Sequence, residues 1–194
     1  MPLSPSDSAL DLTLLAPAEH SSTAHAAMAQ EVQGLFDQYA RPLLRYAASF
    51  GLSADDTEDV VQDVFLALFR HFCLGRSRDN VPGWLFQVTH NLALKQRKRI
   101  RTRWARDGRH EVAIAHHTRI DASPNPEERL AEIERLQSIR AVLPTLPARD
   151  RRCLYLRAEG LRYRDIAKVL GLSLGGVAKS LARSIASLVN AAER

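Results

Sequence analysis

The sequence contains few cysteines and no long apolar run. Cys73 and Cys153 are its two cysteines and no second pair stands near either, so neither a zinc site nor a disulfide framework is indicated, and no cofactor is expected. We expect both to be buried thiols. No apolar run has the length that a bilayer requires, and the first 29 residues lack the basic start and apolar block of a signal peptide. These absences predict a cytoplasmic protein without a membrane-inserted segment.

A further absence is the alternating apolar pattern of β-strands, so the fold class is predicted to be all-α. Residues 1–29 are rich in Pro, Ser and Ala and are predicted to form a disordered tail. Two small helical domains follow, over residues 30–106 and 126–194, and a flexible linker over residues 107–125 joins them. Hydrophobic residues make up 45% of the chain, which is enough for a buried core in each domain.

Positive charge is concentrated in two separate parts of the chain. The net charge is +5, but residues 95–110 contain eight Lys and Arg against one Asp, and residues 129–194 contain thirteen against six acidic residues. The stretch between them is acidic overall. Two cationic surfaces on one chain indicate two contacts with a polyanion.

Apolar spacing predicts three helices in the first domain. Pro42 should bend or break the first of them. The second begins after Ser53 with acidic residues that suit a helix N-terminus, and the third begins near Pro82 with Asn80 as a candidate cap. The third helix should continue through the basic segment, because Ile100 interrupts the charges at helical spacing with Trp104 and would leave the basic face pointing outward.

The stretch 163–181 predicts a helix-turn-helix in the second domain. Gly171 can take the left-handed conformation that ends a helix, and Ser173 can cap the helix that follows. Val177 and Leu181 then lie on the inner face of that second helix. Such a motif commonly places its second helix in the DNA major groove, although an ordinary helical hairpin has the same pattern.

Taken together, the two domains resemble the group IV, or extracytoplasmic-function, sigma factors of bacterial RNA polymerase, in the sigma-70 superfamily. The family's polymerase-clamp segment is similar to DDTEDVVQDVFLALFRH, and its promoter-melting segment is similar to PGWLFQVTHNLALKQRKR. Its region for the upstream promoter element is similar to LPARDRRCLYLRAEGLRYRDIAKVLGLSLGGVAKSLAR. The resemblance covers roughly residues 31–190 and rests on the order and spacing of these segments.

The chemistry of the residues, considered together with the resemblance, predicts three sets of site residues. The polymerase-binding set lies on the polar side of the second helix and comprises Asp59, Gln62 and Asp63. The set for the downstream promoter element and its melting comprises Trp84, Asn91, Lys95, Arg97, Lys98 and Arg99. The set for the upstream promoter element comprises Arg162, Arg164, Lys168, Lys179 and Arg183. The implied partners are core RNA polymerase and promoter DNA, with an anti-sigma factor as a further candidate and no small-molecule substrate.

Several of these residues have a second interpretation. Acidic residues at a helix start also serve the helix dipole, and a Trp at helical spacing with Val88 is typical of a core position. The chain also departs from the family at Lys95, where an acidic residue is frequent, and at Gly175 and Gly176 in the second helix of the motif. The two glycines lower helix propensity, so we expect either weak intrinsic affinity for the upstream element or an altered sequence preference.

Three classes of function are therefore distinguished. The first is a sigma factor that performs no bond chemistry, and the alternative is a stand-alone helix-turn-helix regulator of transcription. The third is a metal-dependent nuclease that uses Glu58, Asp59, Asp63 and a histidine. It is disfavoured because these carboxylates lack a matched pair of His ligands and suit a helix N-terminus. No catalytic residue and no metal site are expected.

Overall fold

The computed structural model describes residues 17–107 and 137–192. Within these ranges the chain is helical and contains no β-strand, as predicted. The first helical unit consists of α1 (Pro17–Ala48), α2 (Ala54–Cys73) and α3 (Val81–Asp107). The second helical unit begins with helical residues 137–142 and a 3-10 turn (Leu143–Thr145), followed by α4 (Ala148–Ala158), α5 (Tyr163–Leu170) and α6 (Leu174–Ala192). The predicted linker and the helix start near Pro126 lie outside the described residues.

Helix α1 begins earlier than expected and contains Pro42 in its interior. It begins at Pro17, within the stretch predicted as a tail, because Pro suits the first position of a helix and alanines such as Ala26 and Ala27 are strong helix formers. It also continues through Pro42 without a break. The buried residues Leu43 and Tyr46 hold the following turns in the core, which offsets the hydrogen bond that proline cannot donate.

Helix α2 begins with a reciprocal cap, as the acidic sequence after Ser53 predicts. The Asp56 N–H donates to Ser53 Oγ at 3.1 Å, and the Ser53 hydroxyl donates back to Asp56 Oδ2 at 2.6 Å. Gln96 Nε2 of α3 donates to Asp56 Oδ1 at 2.6 Å. These hydrogen bonds, that from Ser53 first, hold the pKa of Asp56 below its usual value. Asp56 is therefore a structural carboxylate that fastens α3 to the start of α2.

The core of the first unit lies where all three of its helices meet. Leu43, Val64 and Leu85 are fully or almost fully buried there, and each such side chain contributes about 1.5–3 kcal/mol when removed from water. Tyr46 Oη lies 2.8 Å from His90 Nδ1 inside this core. Helix α3 is capped as predicted, because Asn80 Oδ1 accepts from the Gly83 N–H at 3.3 Å.

The second unit has the predicted helix-turn-helix geometry. Gly171 has a φ of 63°, in the left-handed region, and ends α5. The Gly176 N–H donates to Ser173 Oγ at 3.1 Å, which caps α6. Val177 and Leu181 are buried on the inner face of α6. The angle between α5 and α6 is thus set by one glycine and one serine.

The two units dock against each other and share one continuous cluster of buried apolar residues. Arg45 Nη2 in α1 lies 2.7 Å from Oε1 of Glu159, directly after α4. Asn80 Nδ2, beside the start of α3, donates to Asp165 Oδ1 in α5 at 2.8 Å. Exposed ion pairs contribute about 0–1 kcal/mol each, so these polar contacts orient the docking more than they stabilise it.

The two cysteines lie in different environments. Cys153 is fully buried, as predicted, and burial raises the pKa of its thiol. Cys73 is exposed, so the prediction of a buried thiol is wrong there. It is the last residue of α2, where the helix leaves the core, and its Sγ lies 3.5 Å from Met28 Sδ. Within the described ranges no helix is both long and apolar enough to span a bilayer.

Candidate nucleic-acid interface

The outer face of α2 presents the three polar residues that the sequence singled out. Asp59, Gln62 and Asp63 are all exposed, and none of them forms an ion pair or a side-chain hydrogen bond with a residue that the structure describes. Asp56, one turn earlier, differs because its carboxylate is committed to Ser53 and Gln96. The face beyond the first turn therefore has carboxylates available to a basic partner.

An apolar groove that sequence reasoning missed lies beside these polar residues, between α1 and α2. It has a volume of about 400 Å³ and is lined by Gln62, Phe36, Leu66 and Phe69 among others. Leu66 is 55% exposed and Phe36 is 40% exposed, which is unusual for large apolar residues on a packed helix pair. Leu66 is out of phase with the buried residues of α2, and that break in periodicity is the signal that could have revealed the groove.

Helix α3 carries the basic segment as one uninterrupted helix, as predicted. Asn91, Lys95, Lys98 and Arg99 are exposed along it. Arg97 is only half-exposed, which separates it from the other cations of its set. The apolar side of α3 also lies where the sequence predicted it, because Ile100 and Trp104 are half-buried.

Trp84 lies on the inner side of α3. It is half-buried, packs against the apolar cluster, and its ring centroid is 4.9 Å from that of His71. Asn91 is two turns further along, exposed, and accepts from Gln87 Nε2 at 3.5 Å. This environment favours the packing interpretation of Trp84, whereas Asn91 keeps its amide at the surface.

The three cations at the start of the helix-turn-helix face the first unit. Arg162, Arg164 and Lys168 are exposed to solvent, and they line a cleft of about 540 Å³ between the two units. Tyr39 and Pro82 form part of the opposite wall. These predicted phosphate contacts therefore border the docked first unit, while Lys179 lies outside the cleft.

One of the two cationic side chains that the sequence predicted for DNA contact on α6 is engaged by another residue of the protein. Lys179 is exposed and has no described ion-pair partner. Arg183 is also exposed, but its Nη2 lies 3.1 Å from Asp150 Oδ1, and Ser180 donates to the same carboxylate oxygen. Asp150, which sequence reasoning missed, is buried at the start of α4. The available signal was a lone acidic residue with arginines on both sides of it.

Two family patterns match the chain, one in each helical unit. Residues 35–105 match sigma-70 region 2, and residues 136–188 match sigma-70 region 4. The chain is 31% identical over 144 residues to the probable RNA polymerase sigma factor RfaY of Xanthomonas campestris. This alignment covers 69% of the chain and 33% of RfaY. The chain is also 30% identical over 171 residues to the ECF RNA polymerase sigma factor SigL of Mycobacterium tuberculosis. This alignment covers 86% of the chain and 92% of SigL.

The fold has a solved counterpart. The sigma factor RpoE of Bartonella quintana, in its complex with the anti-sigma factor NepR, superposes with a TM-score of 0.63 at 24% identity, over 84% of this chain and 98% of that one. The chain thus spans about a third of the length of RfaY but nearly all of SigL and RpoE. The matches to both sigma regions and to SigL show that the chain belongs to the extracytoplasmic-function group of the sigma-70 family of RNA polymerase sigma factors.

Proposed function

We propose that this protein binds core RNA polymerase, directs it to promoters and starts transcription, and that it performs no bond chemistry itself. Its place of action is the cytoplasm, where polymerase and DNA are found. The observation that carries the proposal is the outer face of α2. Asp59, Gln62 and Asp63 are exposed there without described partners, directly beside the apolar groove at Phe36 and Leu66.

This combination is typical of a surface that is covered by another protein. Carboxylates give orientation and fast association with a basic partner, and apolar side chains in a groove supply the binding free energy. Membership of the sigma-70 family supports core RNA polymerase as the proposed partner of this face. An anti-sigma factor that binds the same face would then compete with polymerase and keep the protein inactive.

Helix α3 supplies the proposed contact with the downstream promoter element. Lys95, Lys98 and Arg99 would neutralise phosphates, and Asn91 has both a donor and an acceptor for a base edge. The second unit would contact the upstream element through Lys179 and through Arg162, Arg164 and Lys168. Arg183 is assigned a different part, because its guanidinium holds α6 onto α4 through Asp150.

The direct test is in vitro transcription from a library of genomic fragments, with purified core polymerase and with or without this protein. We expect RNA start sites that depend on the protein, and we expect the protein to co-purify with core polymerase. DNA binding without either result would identify a stand-alone regulator and would contradict the proposal.

A further inference from the structure

The cleft of about 540 Å³ between the two helical units has the dimensions of a ligand site. Small-molecule sites in proteins commonly have volumes of about 300–1,000 Å³, so there is room for one small ligand. The start of α5 and the turn before it form one wall, and Tyr39 of α1 and Pro82 of α3 belong to the other. We call this space the inter-unit cleft.

Three cations line the inter-unit cleft, namely Arg162, Arg164 and Lys168. All three are exposed, and none of them forms an ion pair with a carboxylate that the structure describes. They lie directly before α5 or within its first two turns. Positive side chains that lie close together without an internal counter-ion suit a ligand with more than one negative charge.

The two carboxylates that line the cleft are already engaged by the first unit. Glu159 Oε1 lies 2.7 Å from Arg45 Nη2, and Asp165 Oδ1 accepts from Asn80 Nδ2 at 2.8 Å. Because Arg45 neutralises Glu159, the three cations of the cleft are opposed by a single carboxylate. The charge available to a ligand is therefore positive, and the ligand must be an anion.

The turn between α4 and α5 fixes the start of α5 at the cleft. The Leu161 N–H donates to the Leu156 carbonyl oxygen at 3.1 Å, and Arg157 Nη1 donates to the Leu161 carbonyl oxygen at 3.2 Å. Arg162 then begins α5 without a side-chain cap. The first N–H groups of α5 thus have no capping side chain, and the positive end of the helix dipole adds to the attraction of the cations for an anion.

We propose that the inter-unit cleft binds a nucleoside polyphosphate, with its phosphates against the three cations and its base against the Tyr39 ring. Arginine and lysine bind phosphate oxygens through charge-assisted hydrogen bonds, and every base has a π-face that stacks on an aromatic side chain. Tyr39 is only half-buried, so part of its ring is accessible in the cleft wall. A bare polyphosphate would satisfy the cations but leave this ring uncovered, and the test below separates the two kinds of ligand.

The consequence for transcription rests on the proposed function. That function assigns the same three cations to phosphates of the upstream promoter element, so a nucleotide in the cleft competes with DNA for them. Nucleotide binding itself needs neither DNA nor polymerase, and it can therefore be measured on the protein alone.

Isothermal titration calorimetry of the full chain with GTP, in buffer without divalent cations, tests the site. We expect binding by the wild type and an affinity that falls by on the order of tenfold or more in R162A/R164A/K168A. Circular dichroism checks that the variant keeps the helix content of the wild type. No GTP binding by the wild type would overturn the inference.

A matched variant controls for net charge. R101A/R106A/K179A removes three positive charges at exposed positions outside the cleft and should bind GTP as the wild type does. Equal losses of affinity in the two triple variants would show that GTP responds to overall charge, and would overturn the inference.

Tyr39 distinguishes a nucleotide from a bare polyphosphate. Tyr39→Ala should weaken GTP binding and leave the binding of sodium triphosphate unchanged, whereas Tyr39→Phe keeps the aromatic ring and should bind GTP as the wild type does. Triphosphate that binds the wild type as tightly as GTP would overturn the nucleoside part of the inference.

Competition with DNA is measured by the anisotropy of a fluorescent duplex at constant ionic strength. GTP should release the duplex from the wild type, and it should be less effective on Tyr39→Ala, which keeps the three cations. GTP that binds the protein without releasing the duplex would overturn the competition. A protein that binds GTP but never associates with core polymerase would instead contradict the proposed function and support the ligand site.

Discussion

The carboxylate of Asp150 in α4 holds Arg183 of α6 through a 3.1 Å ion pair. Only 3% of the Asp150 side chain is exposed, against 59% of the Arg183 side chain. Ser180, one turn before Arg183, donates to the same carboxylate oxygen from a buried position. A residue that the sequence predicted to contact DNA thus takes part in fixing the orientation of α6.

We expect Asp150→Ala to lower the free energy of unfolding by about 2–4 kcal/mol, because it leaves buried Ser180 and part of Arg183 without their acceptor. Urea unfolding followed by circular dichroism measures the change. The control Glu58→Ala removes an exposed carboxylate and should cost less than about 0.5 kcal/mol. Equal effects of the two substitutions would show that the Asp150 network does not hold α6.

Asp63→Arg should weaken binding to core polymerase by on the order of tenfold or more, because it reverses a charge at a surface that fits a basic partner. Asp63 is exposed, so the free energy of unfolding should change little. Asp79→Arg makes the same charge change at an exposed position before α3, outside this face of α2, and serves as the control. Co-purification of the Asp63 variant at the wild-type level would contradict the polymerase-binding assignment.

The double substitution Lys98→Ala and Arg99→Ala should weaken formation of the promoter complex and flatten its salt dependence by up to about 1.8, or 0.9 for each phosphate that is no longer neutralised. Both side chains are exposed on α3. Arg97→Ala should have a smaller effect on the salt slope, because Arg97 is only half-exposed. Electrophoretic mobility shifts of the polymerase–promoter complex at several salt concentrations give the slope. An unchanged slope would argue against phosphate contacts by α3.

Much of the fold could be predicted because local signals decide it. Ser53 and Gly171 act within one helical turn, and the apolar spacing of Val60 to Phe72 needs no knowledge of the rest of the chain. The sequence left a bend or a break open at Pro42, and only the tertiary burial of its neighbours, which outweighs the cost of a missing hydrogen bond, decides against the break. The boundary at Pro17 was missed because the composition of a tail and that of an alanine-rich helix overlap.

The functional site was predicted less completely than the fold. The role of a surface residue depends on which residues of other helices it contacts. No sequence period indicates that Arg183 meets Asp150, or that Arg162 and Arg164 border the opposite unit, since these contacts join distant parts of the chain. The docking of the two units was not anticipated for the same reason. The polar set Asp59, Gln62 and Asp63 was found because exposure on a regular amphipathic helix follows from spacing alone.

Acid should destabilise the protein through His90. Burial, with a smaller effect of the nearby Arg152 charge, lowers the His90 pKa from 6.5 to about 4. Between these values the unfolded chain binds a proton that the folded chain does not, so stability present above pH 6.5 is lost as the pH falls toward 4. The loss should be about 2–3 kcal/mol, measured as the unfolding free energy in urea at each pH.

His90→Phe should reduce this pH dependence, whereas Tyr46→Phe should keep it, because the second substitution removes the hydrogen-bond partner of the imidazole and leaves the buried imidazole in place. Both single substitutions also lower the unfolding free energy at neutral pH. The quantity to compare is therefore the change of the unfolding free energy with pH. Equal slopes in wild type and the His90 variant would assign the acid sensitivity to other groups.

Three glycines at the turn before α6 and in its first turn should respond differently to substitution by alanine. At Gly175 an added Cβ meets no atom within 4 Å, so Gly175→Ala should raise the unfolding free energy by about 0.5–1 kcal/mol through helix propensity. At Gly176 the same Cβ would lie 3.2 Å from Ser173 Oγ, which should cancel much of that gain. Gly171→Ala should destabilise, because its φ of 63° strains an L-residue. Urea unfolding of the three variants gives the order. A stabilising Gly171 substitution would mean that the left-handed turn between α5 and α6 does not constrain the motif, and a destabilising Gly175 substitution would mean that the open space beside that residue is filled.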